Sequence, residues 1–134
     1  ATIREQLAAD ITDASHRAVA YDSSGKLVLP AADGEAALGI LLSDTNADNG
    51  GITKAGTEVD VLIKNIGLVL AAGAVKKGDH LTATAMGAVQ KAAVGNYILG
   101  IAMSNAAAAG ELVQIQLTKG GYEKAEASSG GGSN

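Results

Sequence analysis

The residues best suited to acid–base chemistry in this chain are its two histidines, His16 and His80. His80 directly follows Asp79, and a histidine beside a carboxylate is a pairing that a hydrolase can use to activate a nucleophile. The chain contains no Gly-x-Ser-x-Gly elbow, phosphate-binding loop or His-Glu-x-x-His zinc motif to accompany the pair. A histidine at the edge of a strand is more often structural than catalytic, so we expect this chain not to be an enzyme.

The other polar groups that could bind a ligand are carboxylates and amides on turns. Three aspartates could pair as acid and base, although nothing in the sequence places them in a pocket: Asp10, Asp13 and Asp22. Residues 44–51 offer acidic or amide oxygens at alternate positions, as the start of a calcium-binding loop does. The match then fails, because Asn49 stands where that loop needs glycine and Ala55 stands where it needs glutamate. We expect a solvated hairpin loop without calcium, and no cofactor.

The composition favours a thin all-β domain. The chain has 134 residues, which fits one domain, and 47% of them are hydrophobic, but 27 residues are alanine and Phe and Trp are absent. The core must therefore consist of Leu, Ile and Val, and its burial per residue is modest. Such a domain gains stability by oligomerising. The absence of cysteine excludes disulfides, thiolate catalysis and Cys-based zinc sites.

Charge and hydropathy argue against nucleic acids and membranes as partners. The net charge is −4 and the pI is about 5.0. The sequence shows no basic cluster and no aromatic platform, so we expect no nucleic-acid binding. No apolar run approaches the roughly 20 residues of a membrane span, so we expect no membrane partner. The start at Ala1 is expected to follow removal of an initiator methionine, with no signal peptide.

A long sequence repeat is the main evidence for the fold. Leu-Gly-Ile occurs at residues 38–40 and again at 99–101, each time followed by two apolar residues, a serine and Asp or Asn. An Ala-Gly turn and a polar–apolar alternation then follow both times, at residues 58–64 and 111–117, which indicates half-buried strands. We predict two related halves, about 16–63 and 78–117, joined by a segment around 66–77. The alternative is two ordinary strands that share a glycine.

The repeat also predicts the core. The alternating strands direct every second residue inward, and the Leu-Gly-Ile strands do not alternate, which is typical of strands buried on both faces. We expect eight residues to be largely buried: Leu38, Ile40, Val59, Val61, Leu99, Ile101, Val113 and Ile115.

The two ends of the chain differ from this β domain of residues 16–119. Residues 1–15 form a predicted N-terminal arm, in which Ile3, Leu7 and Ile11 recur at intervals of four; a short helix or an extended segment fits that spacing. An exposed arm would leave these apolar side chains in water, so they pack on their own domain or are held for a partner. Residues 120–134 are rich in Gly and Ser and are expected to form a mobile tail.

Residues 24–41, with their Lys-Leu-Val and Asp-Gly-x-x-Ala-x-Gly-Ile-Leu runs, resemble the lambda-type head decoration proteins of tailed phages. Residues 73–117 are similar to the wider group of small capsid-decoration proteins, through a Lys-Gly-Asp turn and Leu-Gly-Ile-Ala before a final strand. The resemblance implies a β-tulip or barrel-like domain. It also implies a homotrimer, made in the host cytoplasm, that stands on local threefold axes of the outer capsid surface and cements neighbouring capsomers.

The same resemblance implies that N-terminal arms reach down to the major capsid protein. In this chain the residues in that position, and therefore the expected capsid contact, are Thr2, Ile3, Arg4, Glu5, Gln6 and Leu7. A short arm and an additional Gly/Ser tail distinguish this sequence from the family pattern. Two other functions remain open: a small β-barrel module that binds a sugar or small ligand, which the shortage of aromatic residues disfavours, and a hydrolase that uses His80 and Asp79.

Overall fold

The structure is a computed structural model that describes residues 1–42 and 51–125. These residues form twelve β-strands and no helix, so the prediction of an all-β fold is confirmed. In chain order the strands are β1 (Thr2–Gln6), β2 (Ile11–Thr12), β3 (Ala18–Tyr21), β4 (Leu27–Val28), β5 (Gly39–Leu41), β6 (Ile52–Thr53), β7 (Glu58–Leu62), β8 (Asn65–Leu70), β9 (His80–Ala83), β10 (Val89–Lys91), β11 (Gly100–Ala102) and β12 (Leu112–Leu117). In the described part of the chain, no helix exists that could cross a membrane.

Two five-stranded antiparallel sheets have the same strand order. The first sheet runs β1-β7-β5-β3-β4, and the second runs β8-β12-β11-β9-β10; β2 and β6 form a separate two-stranded ribbon. Each strand of the first sheet therefore has a counterpart at the same place in the second, and the counterparts follow the same order along the chain. The predicted internal repeat is confirmed at the level of topology.

The repeated Leu-Gly-Ile motif has a steric cause. In the first sheet Val19 pairs with Gly39, and in the second Leu81 pairs with Gly100. A Cβ atom placed on Gly39 would run into the carbonyl oxygen of Leu62, and one on Gly100 would run into that of Gln116. Glycine is needed at both positions because the backbone of the neighbouring strand lies against the Cα.

Each sheet closes on itself at one end. An isolated parallel bridge joins Leu7, just after β1, to Leu27 in β4, and an equivalent bridge joins Ala71, just after β8, to Val89 in β10. The backbone N–H of Ala8 donates to the carbonyl of Leu27 at 2.8 Å, and the corresponding bond in the second repeat is 2.7 Å long. Both edge strands of a sheet thus meet, which gives each repeat a barrel-like form, in agreement with the barrel-like domain that the resemblance implies.

The core of the second repeat contains residues of both repeats. The core of the first repeat consists of residues such as Leu7, Leu27 and Val61, whereas Ile40 and Ala18 of the first repeat pack with the core of the second. Strand β5 is therefore buried on both faces: one face covers its own barrel and the other meets the second repeat. Six of the eight residues predicted to be buried are so: Ile40, Val59, Val61, Leu99, Val113 and Ile115.

The exceptions are Leu38 and Ile101, which are half-buried. Ile101 occupies the place in the second repeat that Ile40 has in the first. Ile40 lies against β8, where a Cβ on Gly67 would be 3.8 Å from its Cδ1 atom. The outer side of β11 has no such cover from a further repeat, so the same motif is less buried there.

The prediction of an N-terminal arm over residues 1–15 is wrong. Residues 2–6 form β1, which pairs with β7 from Thr2 opposite Leu62 to Gln6 opposite Glu58. Leu7 is 1% exposed and Ile11 is 5% exposed, so both belong to the core of the domain. The segment around 66–77, predicted to join the halves, contains β8, which is the counterpart of β1. Each repeat therefore begins one strand earlier than the sequence indicated.

The boundary of the C-terminal tail also needs correction. The N–H of Ile98 donates to the carbonyl of Gly121 at 2.7 Å, and the N–H of Gly95 donates to that of Glu123 at 2.9 Å. The rings of Tyr97 and Tyr122 meet edge to face, with centroids 5.5 Å apart. The chain thus packs on the second repeat beyond residue 120. The rest of the predicted tail, 126–134, and the predicted hairpin loop at 44–50 lie outside the described residues.

Candidate functional site

The predicted contact residues 2–7 lie on an edge strand. Backbone hydrogen bonds alternate in an antiparallel pair. The N–H of Leu7 donates to the carbonyl of Thr57, and the carbonyl of Ala1 accepts from the N–H of Ile63, so the odd-numbered residues of this segment bond to the neighbouring strand β7. The backbone groups of Thr2 and Arg4 therefore point to the open edge of the sheet. The edge closes only at the Leu7–Leu27 bridge.

Side-chain exposure divides the six predicted residues into two groups. Thr2, Arg4 and Gln6 are exposed, so a partner can reach their side chains without any change in the domain. The side chain of Leu7 is buried, and Ile3 packs against the first core. The structure therefore keeps three of the six available for contact and assigns Ile3 and Leu7 to folding.

Glu5, the remaining residue, has a partner inside the domain. Its Oε2 accepts a hydrogen bond from the hydroxyl of Tyr21 at 2.6 Å. This bond raises the pKa of Tyr21, because the phenol donates only while it is protonated. Partial burial of the phenol and the negative charge of Glu5 also raise this pKa. Glu5 thus holds β1 to β3 rather than extending to a partner.

The outer face of β1 and β7 is charged. The Nη1 of Arg4 lies 3.1 Å from Oδ1 of Asp60, and its Nε lies 3.4 Å from Oε1 of Glu58. All three side chains are at least half exposed, so these ion pairs contribute little to stability. They hold three charged side chains in fixed directions beside the open edge of the sheet.

His80 does not form the acid–base pair with Asp79 that the sequence permits. The Nδ1 of His80 lies 3.1 Å from Oε1 of Glu123, whereas Oδ2 of Asp79 accepts the N–H of Lys76 within its own turn. His16 has a positive φ of 68°, donates its N–H to Leu41 and accepts that of Leu70, so its backbone joins the two repeats. Both histidines therefore have structural partners.

The carboxylates considered for acid–base pairing serve turns. Oδ1 of Asp10 accepts the N–H of Ala55 at 2.8 Å. Oδ1 of Asp22 accepts the N–H groups of Lys26 and Ser24, each at 2.9 Å, and the Lys26 bond is the main reason that the pKa of Asp22 is lowered. Among residues 1–42 and 51–125, no group of three or more His, Cys, Asp or Glu is placed to hold a metal ion.

A groove of about 420 Å³ lies at the closing seam of the second repeat. Five of its eleven lining residues are alanine or glycine, and Arg17 and Asp33 are its charged residues. Arg17 donates to the carbonyls of Asp13 and Met86, and Asp33 accepts the N–H of Ala85. Both charged side chains are thus held by backbone groups, and no aromatic ring lines the groove. Thr84 also lines it, and its buried hydroxyl has no hydrogen-bond partner among residues 1–42 and 51–125. A single hydroxyl of this kind is not the converging set of polar groups expected of a sugar or small-ligand site.

The second sheet carries an apolar face that the sequence reasoning missed. We define this apolar face by three side chains on the outer side of β8 and β12: Ile66, Leu68 and Leu112, which are 46%, 44% and 41% exposed. The pairing of Leu70 with Leu112 and of Leu68 with Gln114 places them together on one side of the sheet. Three large apolar residues at every second position, Ile66, Leu68 and Leu70, were a signal for it once β8 is recognised as a strand.

Comparisons with known proteins agree with this architecture. The family model described as structural cement protein (E217 gp24/Pam3 gp6) matches residues 3–118. The crystal structure of the N base of the head fiber gp8.5 in bacteriophage phi29 has a TM-score of 0.67, with 18% identity over 92% of this chain and 98% of that chain. This likeness concerns the fold. No curated protein matches the chain.

The expected resemblance to capsid-decoration proteins is therefore confirmed. The family model covers most of this chain and includes all of β2 to β12, together with most of β1. The chain thus belongs to the phage structural cement proteins, and it is a structural protein that stabilises a phage capsid.

Proposed function

We propose that this protein stands on the outer surface of the capsid as a homotrimer and binds the major capsid protein through the open edge of β1. It is made in the host cytoplasm and added to the assembled shell. The proposal assigns no catalytic step and no cofactor to the chain. The observation that supports it best is the exposed edge strand, whose unpaired backbone groups at Thr2 and Arg4 lie beside a charged face.

Strand addition is the mode of binding that this edge fits. An extended segment of the shell protein that lies along β1 would pair with the outward N–H and C=O groups of Thr2 and Arg4. Main-chain hydrogen bonds supply affinity, and the charges of Arg4, Glu58 and Asp60 select the register and direction of the added strand.

The buried residues of the same segment make the contact rigid. Because Leu7 and Ile3 are anchored in the first core, force on the edge passes directly into the body of the domain. A flexible arm would extend before it transmitted force to the domain. A trimer would carry three such edges, and simultaneous binding would raise the overall affinity well above that of one edge.

Single substitutions test this proposal, because deleting the segment would remove a whole strand and part of the core. Thr2→Pro removes one N–H from the open edge and no hydrogen bond to β7, since proline is tolerated on an edge strand when its nitrogen faces outward. Arg4→Glu reverses the charge beside the edge. Lys54→Glu is the matched control, because Lys54 is 58% exposed, forms a similar surface pair with Asp10 and lies off β1.

The measurement is cosedimentation with expanded capsids that lack the protein, with circular dichroism as a check on folding. We expect Thr2→Pro and Arg4→Glu each to weaken binding at least tenfold, which corresponds to ~1.4 kcal/mol. We expect Lys54→Glu to bind as the unmodified protein does. Normal binding by both β1 variants would overturn the proposal and move the attachment to another surface.

A further inference from the structure

The apolar face on the second sheet has no role in the capsid contact just proposed. Its three side chains lie on β8 and β12, whereas that contact is on β1. Exposed side chains of this size are common singly on protein surfaces, but a contiguous group marks a contact surface. The closing bridges and the shared core use the opposite, inward side of β8, where Val69 is fully buried.

The first repeat shows that the fold does not require an apolar surface here. By the register of the two sheets, Thr2 corresponds to Ile66, Arg4 to Leu68, and Glu58 to Leu112. The same geometrical positions are therefore polar or charged in one repeat and apolar in the other. Since both repeats fold in the same way, the three apolar side chains are not there to complete a barrel.

We propose that the apolar face is where copies of this chain contact one another in the homotrimer. The proposal rests on the proposed oligomer and deepens it by assigning the surface. The charge of the apolar face indicates which molecule it contacts. Around the threefold axis of a trimer the same residues of three copies come near one another, so a face on that axis that carries unbalanced charge opposes its own association, as do like charges elsewhere on a chain with net charge −4.

The apolar face meets this condition, and the corresponding face of the first repeat does not. Its three residues are uncharged, and the neighbouring outward residues of β12 are Gln114 and Gln116, whose amides both donate and accept hydrogen bonds. The charged residues that adjoin the two strands in sequence are Lys64 and Glu111, of opposite sign, and the carboxylate of Glu111 accepts the N–H of Ala107 within its own turn. The first repeat instead presents one arginine with two carboxylates at the equivalent place.

The size of the face determines its part in the contact. A stable contact buries roughly 800 Å² from each partner, with an apolar centre and a polar rim. Three side chains of leucine size form such a centre, and the glutamines form part of the rim. The substitution with the largest effect is expected at Leu68, which lies between the other two along the sheet.

The experiment is sedimentation equilibrium of the full chain without capsids, over a range of protein concentrations. We expect the unmodified protein to be a trimer and Leu68→Lys to shift towards monomer, with a dissociation constant raised at least tenfold. The matched control is Gln6→Lys, which places the same charge on an exposed outward position of the counterpart strand β1. It is expected to leave the trimer intact. Leu112→Gln, a milder change, is expected to weaken association in the same direction.

Folding of each variant is checked by circular dichroism, and the milder variant provides the answer if Leu68→Lys does not fold. A Leu112→Gln protein and a Leu68→Lys protein that both remain trimeric would overturn the inference. So would an unmodified protein that is monomeric at every concentration, with capsid binding lost in Leu68→Lys, because the face would then contact the shell. Failure of capsid binding by a trimeric protein would instead refute the proposed function and leave this inference standing.

Discussion

The internal repeat allows one substitution to be compared at two equivalent sites. Ile40→Ala and Ile101→Ala remove the same atoms from the same motif, in strands with the same neighbours in each sheet. Ile40 is 0% exposed and packs between the two repeats, whereas Ile101 is half-buried on the outer side of the second. The difference between the two changes therefore measures how much the second repeat covers the first.

The magnitudes follow from burial. Truncation of isoleucine to alanine removes three carbon groups, and each contributes about 0.8 kcal/mol when it is fully buried. At Ile40 the loss of transfer free energy is therefore ~2.4 kcal/mol, and a cavity between two packed repeats raises the cost to about 3–4 kcal/mol. At Ile101, which is only partly exposed, most of the transfer term applies but the space opens to solvent and adds no cavity term, so we expect about 2 kcal/mol.

Urea unfolding followed by far-ultraviolet circular dichroism measures both values, because the chain has no tryptophan. All proteins are compared at one concentration, since dissociation of an oligomer shifts the midpoint. Equal slopes would show that the unfolded states are comparable. If Ile101→Ala costs as much as Ile40→Ala, or if Ile40→Ala costs under ~1 kcal/mol, the interpretation of a core shared between repeats is refuted.

Two further outcomes can be checked on the same protein. We expect Gly100→Ala to destabilise the fold strongly, by more than the ~1 kcal/mol that glycine normally costs in a strand, because the added Cβ meets the carbonyl of Gln116; a midpoint of urea unfolding that is unchanged would contradict this. Burial raises the pKa of Tyr97 above its usual 10.0, so stability from this group is complete below pH ~10 and is lost as pH rises through the raised pKa. Unfolding free energies measured between about pH 9 and 12 should fall less in Tyr97→Phe; identical curves would refute the assignment.

The strands that the sequence predicted correctly are those with an unambiguous period. Residues 58–64 and 111–117 alternate polar and apolar side chains, and the structure places β7 and β12 there with Val59, Val61, Val113 and Ile115 inward. The turns between strands repeat as well, since Gly25 and Gly87 both have a positive φ in equivalent hairpins. Where local chemistry agreed with the long-range fold, the sequence was sufficient.

Strand β1 was missed because its spacing fits two structures. Ile3, Leu7 and Ile11 are four residues apart, and an interval of four places side chains on one face of a helix and also on one face of a strand. The position between Ile3 and Leu7 that points inward carries Glu5, a polar residue whose carboxylate is held by Tyr21. The pairing with β7, more than fifty residues away, decided between the two.

The counterpart strand β8 was missed for the opposite reason. Its outward positions Ile66 and Leu68 are apolar, so residues 65–70 show no alternation from which a half-buried strand could be inferred. The apolar face that disguised the strand is also the surface with the clearest reason to meet a second copy. Its position could not be inferred before the register of β8 and β12 was known.

The bridges that join Leu7 to Leu27 and Ala71 to Val89 also affect how closely identical copies can be packed without aggregating. An open sheet edge is a template on which another chain can form strands, and this leads to aggregation. Proteins that coat one particle lie close to many identical neighbours, so two long free edges in every copy would invite random cross-pairing. The bridges shorten the free edges to a few residues, which limits random strand pairing between neighbouring copies.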